Sequence, residues 1–275
     1  DLLNNSPAGE YTPQLSKEEY AAKKQAERED AFALADDTAL VVTADGEKYK
    51  SFLDLQARLD RYSAVNTLLV YAKNPTAIRL GDFDYWKRQN CSVKPGQTAI
   101  AILEPHEYTK EDGSPGTGYN VKKVFDISQV DTRKLRSTPP PHYSERLLLG
   151  ALISKAPLPI AGVDELPNNL GAMYDPQTNS ISVRRGMEFF DTFRGVAQEL
   201  ALADLTTGPD TQAHPEFSAY CASYLICKKY GVDTQAFSFE NAPGAFAGMD
   251  AQEIKGELSQ IRGAVEDISG RMERQ

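Results

Sequence analysis

The sequence predicts an α+β fold: an N-terminal α+β module, then a smaller mixed module, with helical extensions at both ends. Three observations carry this. Apolar residues recur at mostly helical spacing at Phe52, Leu55, Leu59, Tyr62, Val65, Leu69 and Tyr71. Two β-rich runs, TAIAILE at 98–104 and YNVKKVFD at 119–126, flank the turn-rich segment EDGSPGTG, the pattern of a hairpin. With 41% apolar and 25% charged residues, 275 positions suffice for one large core or two modest ones.

Residues 1–46 read as a helical arm or linker. Within them SKEE at 16–19 is a capping-box pattern, in which Ser16 and Glu19 satisfy each other's free backbone donors, and a charged, Ala-rich exposed helix follows to about 35. The first module, 47–137, opens with the periodic stretch 50–73, read as one core helix that Asn74 and Pro75 stop. A short strand (TAIRL), a short helix over 83–89 and the hairpin complete it. Three consecutive prolines in STPPPHY, 137–143, disfavour helix and sheet alike and mark the module boundary.

The second module, 142–242, is predicted to hold a helix over 144–155, strands near 158–163, 170–174 and 180–184, and two longer helices, the first over 187–205. In the C-terminal helix, 249–275, Ile254, Leu258, Ile261, Val265, Ile268 and Met272 alternate spacings of four and three, the seam of a coiled coil. Three glycines off that seam weaken the helix, so it is expected to pack on the body or to pair through 254–272 with a second copy or a partner helix.

Composition excludes several classes. There is no apolar run of about 20 residues and no basic-then-apolar start, which reads as a soluble cytoplasmic protein without membrane partners. Three cysteines make no full disulfide set, and the three histidines stand apart from other ligands, so neither metal nor cofactor is expected. The chain opens at Asp1 without an initiator Met and reads as a piece of something longer.

Net charge is −9, yet residues 47–136 carry 15 Lys and Arg against 11 Asp and Glu. Positive charge is therefore gathered in the first module, which permits a phosphate-binding surface on an otherwise acidic protein. In the same window aromatic and basic residues interleave, as in proteins that stack bases and track phosphates. Tyr62, Tyr85 and Trp86 are the stacking candidates, and Lys87, Arg88, Lys94, Lys122 and Lys123 the phosphate candidates. The plainer reading puts most of these rings in the core, with Trp86 anchoring a short helix.

Residues 196–202, VAQELAL, have the frame of an HExxH zinc-peptidase helix without its histidines. That motif places two His on one helix face to grip zinc, with Glu as general base. Here Gln198 and Leu202 occupy the histidine positions and only Glu199 remains, so no catalytic residue and no metal ligand is assigned.

Downstream, EFSAYCASYLICKKYGVDTQAFSF at 216–239 resembles the helix that follows HExxH in the ArdC and LtrC group of mobile-element proteins, relatives of ImmA/IrrE-type peptidases. RYSAVNTLLVYAKNPTA, FDYWKRQNCSVKPGQTAIAILEP and VFDISQVD, in that order, resemble the N-terminal single-strand DNA-binding domain of ArdC-type antirestriction proteins, with Ser63, Asn66, Trp86, Lys94 and Gly96 matching its recurring pattern. Together these cover roughly residues 47–240. The resemblance implies a third zinc-ligand position at Ser218, so all three ligand positions fail together. Asn66 is expected to bond backbone within its own helix.

The expectation is a non-catalytic mobile-element protein of the conjugative or antirestriction kind, binding single-stranded DNA through its first module and carrying a degenerate zincin-like one. Two alternatives stand beside it: a protein-interaction scaffold without DNA binding, and a zinc hydrolase using unconventional ligands.

Overall fold

The computed structural model describes residues 16–136, 139, 141–207 and 213–274. Helix α1, Lys17–Thr43, starts on the anticipated box: Ser16 Oγ accepts the Glu19 N–H at 3.1 Å, and Glu19 Oε2 accepts the Ser16 N–H at 2.8 Å. Its second half is not an arm. Ala31, Ala35, Ala39 and Val42 are buried, because small side chains every four residues let the helix lie close on its neighbours.

The stretch read as a single core helix is two, α2 (Gly46–Arg58) and α3 (Ala64–Lys73). Ser63 caps α3 by accepting the Asn66 N–H at 3.2 Å, and the Gln56 amide donates to the Leu59 and Tyr62 carbonyls across the break. The apolar period runs through the break, while the capping serine decides where the helix restarts.

Strand β1 (Leu80–Gly81), helix α4 (Phe83–Arg88), and strands β2 (Ser92–Val93), β3 (Ile100–Thr109), β4 (Pro115–Asp126) and β5 (Val130–Asp131) follow. They form an antiparallel sheet of order β1-β4-β3 and a separate β2-β5 pair. The hairpin runs further than its apolar residues suggested, through the glycines of EDGSPGTG. Gly118 pairs with His106 and Gly116 with Tyr108, and each ring lies so close over its glycine that a Cβ would come within 2.6 and 2.7 Å.

Helix α5 (Glu145–Ser154) leads to β6 (Ile160–Val163), β7 (Ala172–Asp175) and β8 (Ser180–Arg184). In the order β6-β8-β7, β8 is parallel to β6 and antiparallel to β7. Then come α6 (Phe189–Thr207), α7 (Pro215–Tyr230), the short α8 (Ala242–Ala245) and α9 (Ala251–Glu273). These elements fall close to where the pattern placed them. Of the proline run, positions 137, 138 and 140 lie outside the described residues.

The core crosses the expected 47–137 and 142–242 division. One cluster joins Tyr49, Phe52 and Leu53 of α2 to Phe193 and Leu200 of α6, Tyr224 of α7, and Ile254, Leu258 and Ile261 of α9. The seam of α9 is thus spent inside its own molecule: five of its six residues are buried and Val265 packs against the same cluster. Of the two outcomes expected for this helix, packing on the body is the one the structure shows. No helix among the described residues is long and apolar enough to cross a membrane.

Candidate nucleic-acid interface and peptidase-like pocket

A groove of about 1010 Å³ runs along the first module, between the α2–α3 connection, β1, the start of α4 and the β3–β4 sheet, with α9 at one wall. Arg58, Arg61, Arg79, Arg88, Lys122 and Arg262 line it against the carboxylates Asp60, Asp82 and Glu104, so its charge is positive in an acidic protein. Tyr62, Tyr85 and Tyr119 supply rings.

The floor is preorganised. Asp82 caps α4 by accepting the Tyr85 N–H at 2.7 Å, a bond that holds its carboxyl below the usual carboxylate range. Lys122 lies 3.2 Å from Asp82 and 3.1 Å from Glu104, and its hydrogen bonds to Glu104 and Asp82 raise its pKa. Tyr85 accepts a hydrogen bond from Arg79 Nε at 2.6 Å, and its ring rests on Gly81, where a Cβ would come within 2.0 Å. Burial raises the Tyr62 pKa, so its hydroxyl stays protonated as a hydrogen-bond donor at neutral pH.

A second cavity, about 540 Å³, lies over α6 and is lined in part by Arg184, Arg194, Gln198, Glu199, Tyr220 and Phe237. The Glu199 carboxylate accepts the backbone N–H of Tyr174 in β7 at 2.8 Å, and burial raises its pKa. Leu202 packs against the core and does not line the cavity. Ser218 is buried, with its Oγ 3.3 Å from Glu257 of α9. A divalent cation here would find two carboxylates, Glu199 already bonded to the backbone and Asp191 ion-paired with Arg194, and the neutral amides of Asn169 and Gln198, with no imidazole or thiolate in the lining. That donor set does not fit it. No group of three metal-ligating side chains occurs among the described residues.

No protein-family model matches the chain. Nor does any curated protein. Solved structures do, among them two forms of one protein. The metal-free crystal structure of the antirestriction ArdC protein from plasmid R388 aligns over 77% of this chain and 85% of its own, with a TM-score of 0.53 at 15% identity. Its Mn(II)-bound form aligns over 78% and 86%, with a TM-score of 0.54 at 14% identity. This chain has an ArdC-like fold.

Of the residues anticipated for nucleic acid, the ArdC-like fold brings Tyr62, Tyr85, Arg88 and Lys122 into the groove. Trp86 is a correction: it is fully buried, with its indole N–H donated to the Phe125 carbonyl at 3.0 Å, and cannot stack on a base. Lys87, Lys94 and Lys123 are also outside the groove lining. Lys94 donates to the Ser128 carbonyl at 3.0 Å. Lys123 follows Lys122 on β4 and therefore points to the opposite face of the sheet.

Asn66 is a second correction. Rather than bonding within its helix, it clamps the strand β3, donating to the Leu103 carbonyl and accepting the Leu103 N–H, both at 2.8 Å. An amide side chain presents one donor and one acceptor side by side, which matches a peptide group on an otherwise free sheet edge. Arg58, Arg61, Arg79, Tyr119 and Arg262 belong to the groove but were not among the named candidates.

Proposed function

We propose that this ArdC-like chain binds single-stranded DNA in the groove of its first module and serves a mobile element in an antirestriction role, as its likeness to the plasmid antirestriction protein ArdC suggests. The carrying observation is a groove in which six cations outnumber three carboxylates around three tyrosines, Tyr62 and Tyr85 half-buried and Tyr119 exposed. Cations follow phosphates while rings stack on bases without regard to sequence. In the same reading the pocket over α6 performs no metal-dependent hydrolysis, because Gln198, Leu202 and Ser218 replace the donors such chemistry needs.

Fluorescence anisotropy with a labelled single-stranded oligonucleotide over a salt series tests this. Saturable binding is expected, with affinity falling steeply and log-linearly with salt as counterions are released. Absence of saturable binding at low ionic strength would refute the DNA reading and favour the scaffold alternative.

A further inference from the structure

The cavity over α6 keeps a volume of about 540 Å³ although its donors do not fit a metal ion, and two of its charges have no ion-pair partner among the described residues. One is Glu199. Its Oε2 accepts the Tyr174 N–H, while Oε1 has no partner among the described residues. Unlike Gln56 Oε1, Arg262 Nε and Ser269 Oγ, which are sealed off from solvent, Glu199 Oε1 opens into the cavity that the residue lines. Burial raises the Glu199 pKa, and no cation stands near enough to oppose that.

The other is Arg184, at the end of β8. Its Nη1 donates to the Asn169 carbonyl at 3.1 Å, which leaves Nε and Nη2 without a partner among the described residues. Asn168 and Asn169 both take left-handed backbone, φ 52° and 56°, which non-glycine residues adopt in succession only where their surroundings impose it. That turn sets Asn169 against Arg184 at the cavity rim. Asp191 and Arg194 answer each other, so the lining, with two cations and two carboxylates, is neutral. Leu170, Met187 and Phe237 give apolar walls.

A lone anion would meet Glu199 and Asp191, and a lone cation Arg184 and Arg194, so neither sign alone suits the space. A neutral ligand would dry both free charges and answer neither. We propose that the cavity binds a small zwitterion of the amino-acid type, a free amino acid or a dipeptide, with its ammonium on Glu199 Oε1, its carboxylate on Arg184 and its side chain against Met187 and Phe237. This rests on the reading of the pocket as metal-free and is independent of the DNA reading of the groove. The cavity falls within the roughly 300–1,000 Å³ that small-molecule sites occupy.

Titration calorimetry with leucine, with leucyl-alanine, and with the N-acetyl and C-amide derivatives of each tests it. The parent chain is compared with Glu199→Gln and Arg184→Gln, and the recovered ligand is checked by chromatography for cleavage. Glu199→Gln keeps an acceptor for Tyr174. The capped ligands remove one charge each without touching the protein, so the test survives a variant that fails to fold.

The parent chain is expected to bind leucine or leucyl-alanine saturably with Kd on the order of 0.1–1 mM, and the tighter of the two identifies the source. Either cap should weaken that ligand roughly tenfold. Glu199→Gln should weaken the uncapped ligand but not its N-acetyl form, and Arg184→Gln the uncapped ligand but not its amide, the coupling that a direct contact produces. If only one cap and its matching variant matter, the ligand carries a single charge and the zwitterion assignment falls. No saturable heat up to about 10 mM, or binding indifferent to caps and variants, would overturn the proposal and leave the metal-free reading standing. Cleavage of leucyl-alanine that chelation stops would overturn both.

Discussion

Glu199 offers the sharpest separation between a peptidase base and a structural group. Its carboxylate accepts the Tyr174 N–H at 2.8 Å and ties α6 to strand β7. In Glu199→Ala that donor is left in a largely dry site, which costs about 1–3 kcal/mol. At about 2–4 °C of melting temperature per kcal/mol for a chain of this size class, a fall of several degrees is expected. Glu199→Gln keeps an acceptor for Tyr174 and should stay within about 1 kcal/mol of the parent at neutral pH.

The pH dependence has a definite sign. Burial raises the Glu199 pKa above its ordinary 4.5, so the folded chain retains this proton where the unfolded chain has released it. Its contribution to stability is then present below about 4.5 and is lost as pH rises through the folded value. Denaturant melts followed by circular dichroism across that window should show Glu199→Gln gaining on the parent as pH rises. If Glu199→Ala melts with the parent at every pH, or if Glu199→Gln loses as much as Glu199→Ala, the tie to β7 is not what this carboxylate does.

Three further outcomes are expected. Arg79→Ala and Arg88→Ala should each weaken single-strand binding and, where a phosphate contact is lost, lower the slope of log affinity against log salt by about 0.7, whereas Lys94→Ala, outside the groove, should leave that slope unchanged. Asn66→Ala strips both hydrogen bonds from the Leu103 peptide and should cost about 2–5 kcal/mol in denaturant melts, while Ser63→Ala, a helix cap, should cost about 1. Exhaustive chelation should leave the melting temperature unchanged, and stoichiometric zinc with a chelator-sensitive melt would reinstate the hydrolase alternative.

What could be read from the chain is what depends on near neighbours. The Ser16–Glu19 box, the hairpin strands and the order of helices and strands after 144 follow from spacing a few residues long. The break between α2 and α3 was hidden because apolar periodicity persists through it, although Ser63 held the cap signal. Trp86 illustrates a different limit: an aromatic among lysines has the same sequence signature whether it stacks on a base or fills a core, and only the Phe125 carbonyl 39 positions away decides. Arg262 joins the groove from α9, where its guanidinium lies 3.4 Å from the Asp60 carbonyl, a contact no local pattern encodes. Similarly, Glu199 stood out in the VAQELAL helix, but its bond to β7 needed the strand in place.

The seating of α9 bears on biogenesis. Ile254, Leu258, Ile261, Ile268 and Met272 complete the cluster that Tyr49 and Phe52 begin, and Lys255 reaches back to an ion pair with Asp36 of α1. Until α9 has left the ribosome, the earlier helices present to water the apolar faces that it covers. Chaperone engagement during synthesis is therefore expected to persist until α9 emerges, and nicks upstream of residue 251 should trap an aggregation-prone remnant rather than a smaller working unit.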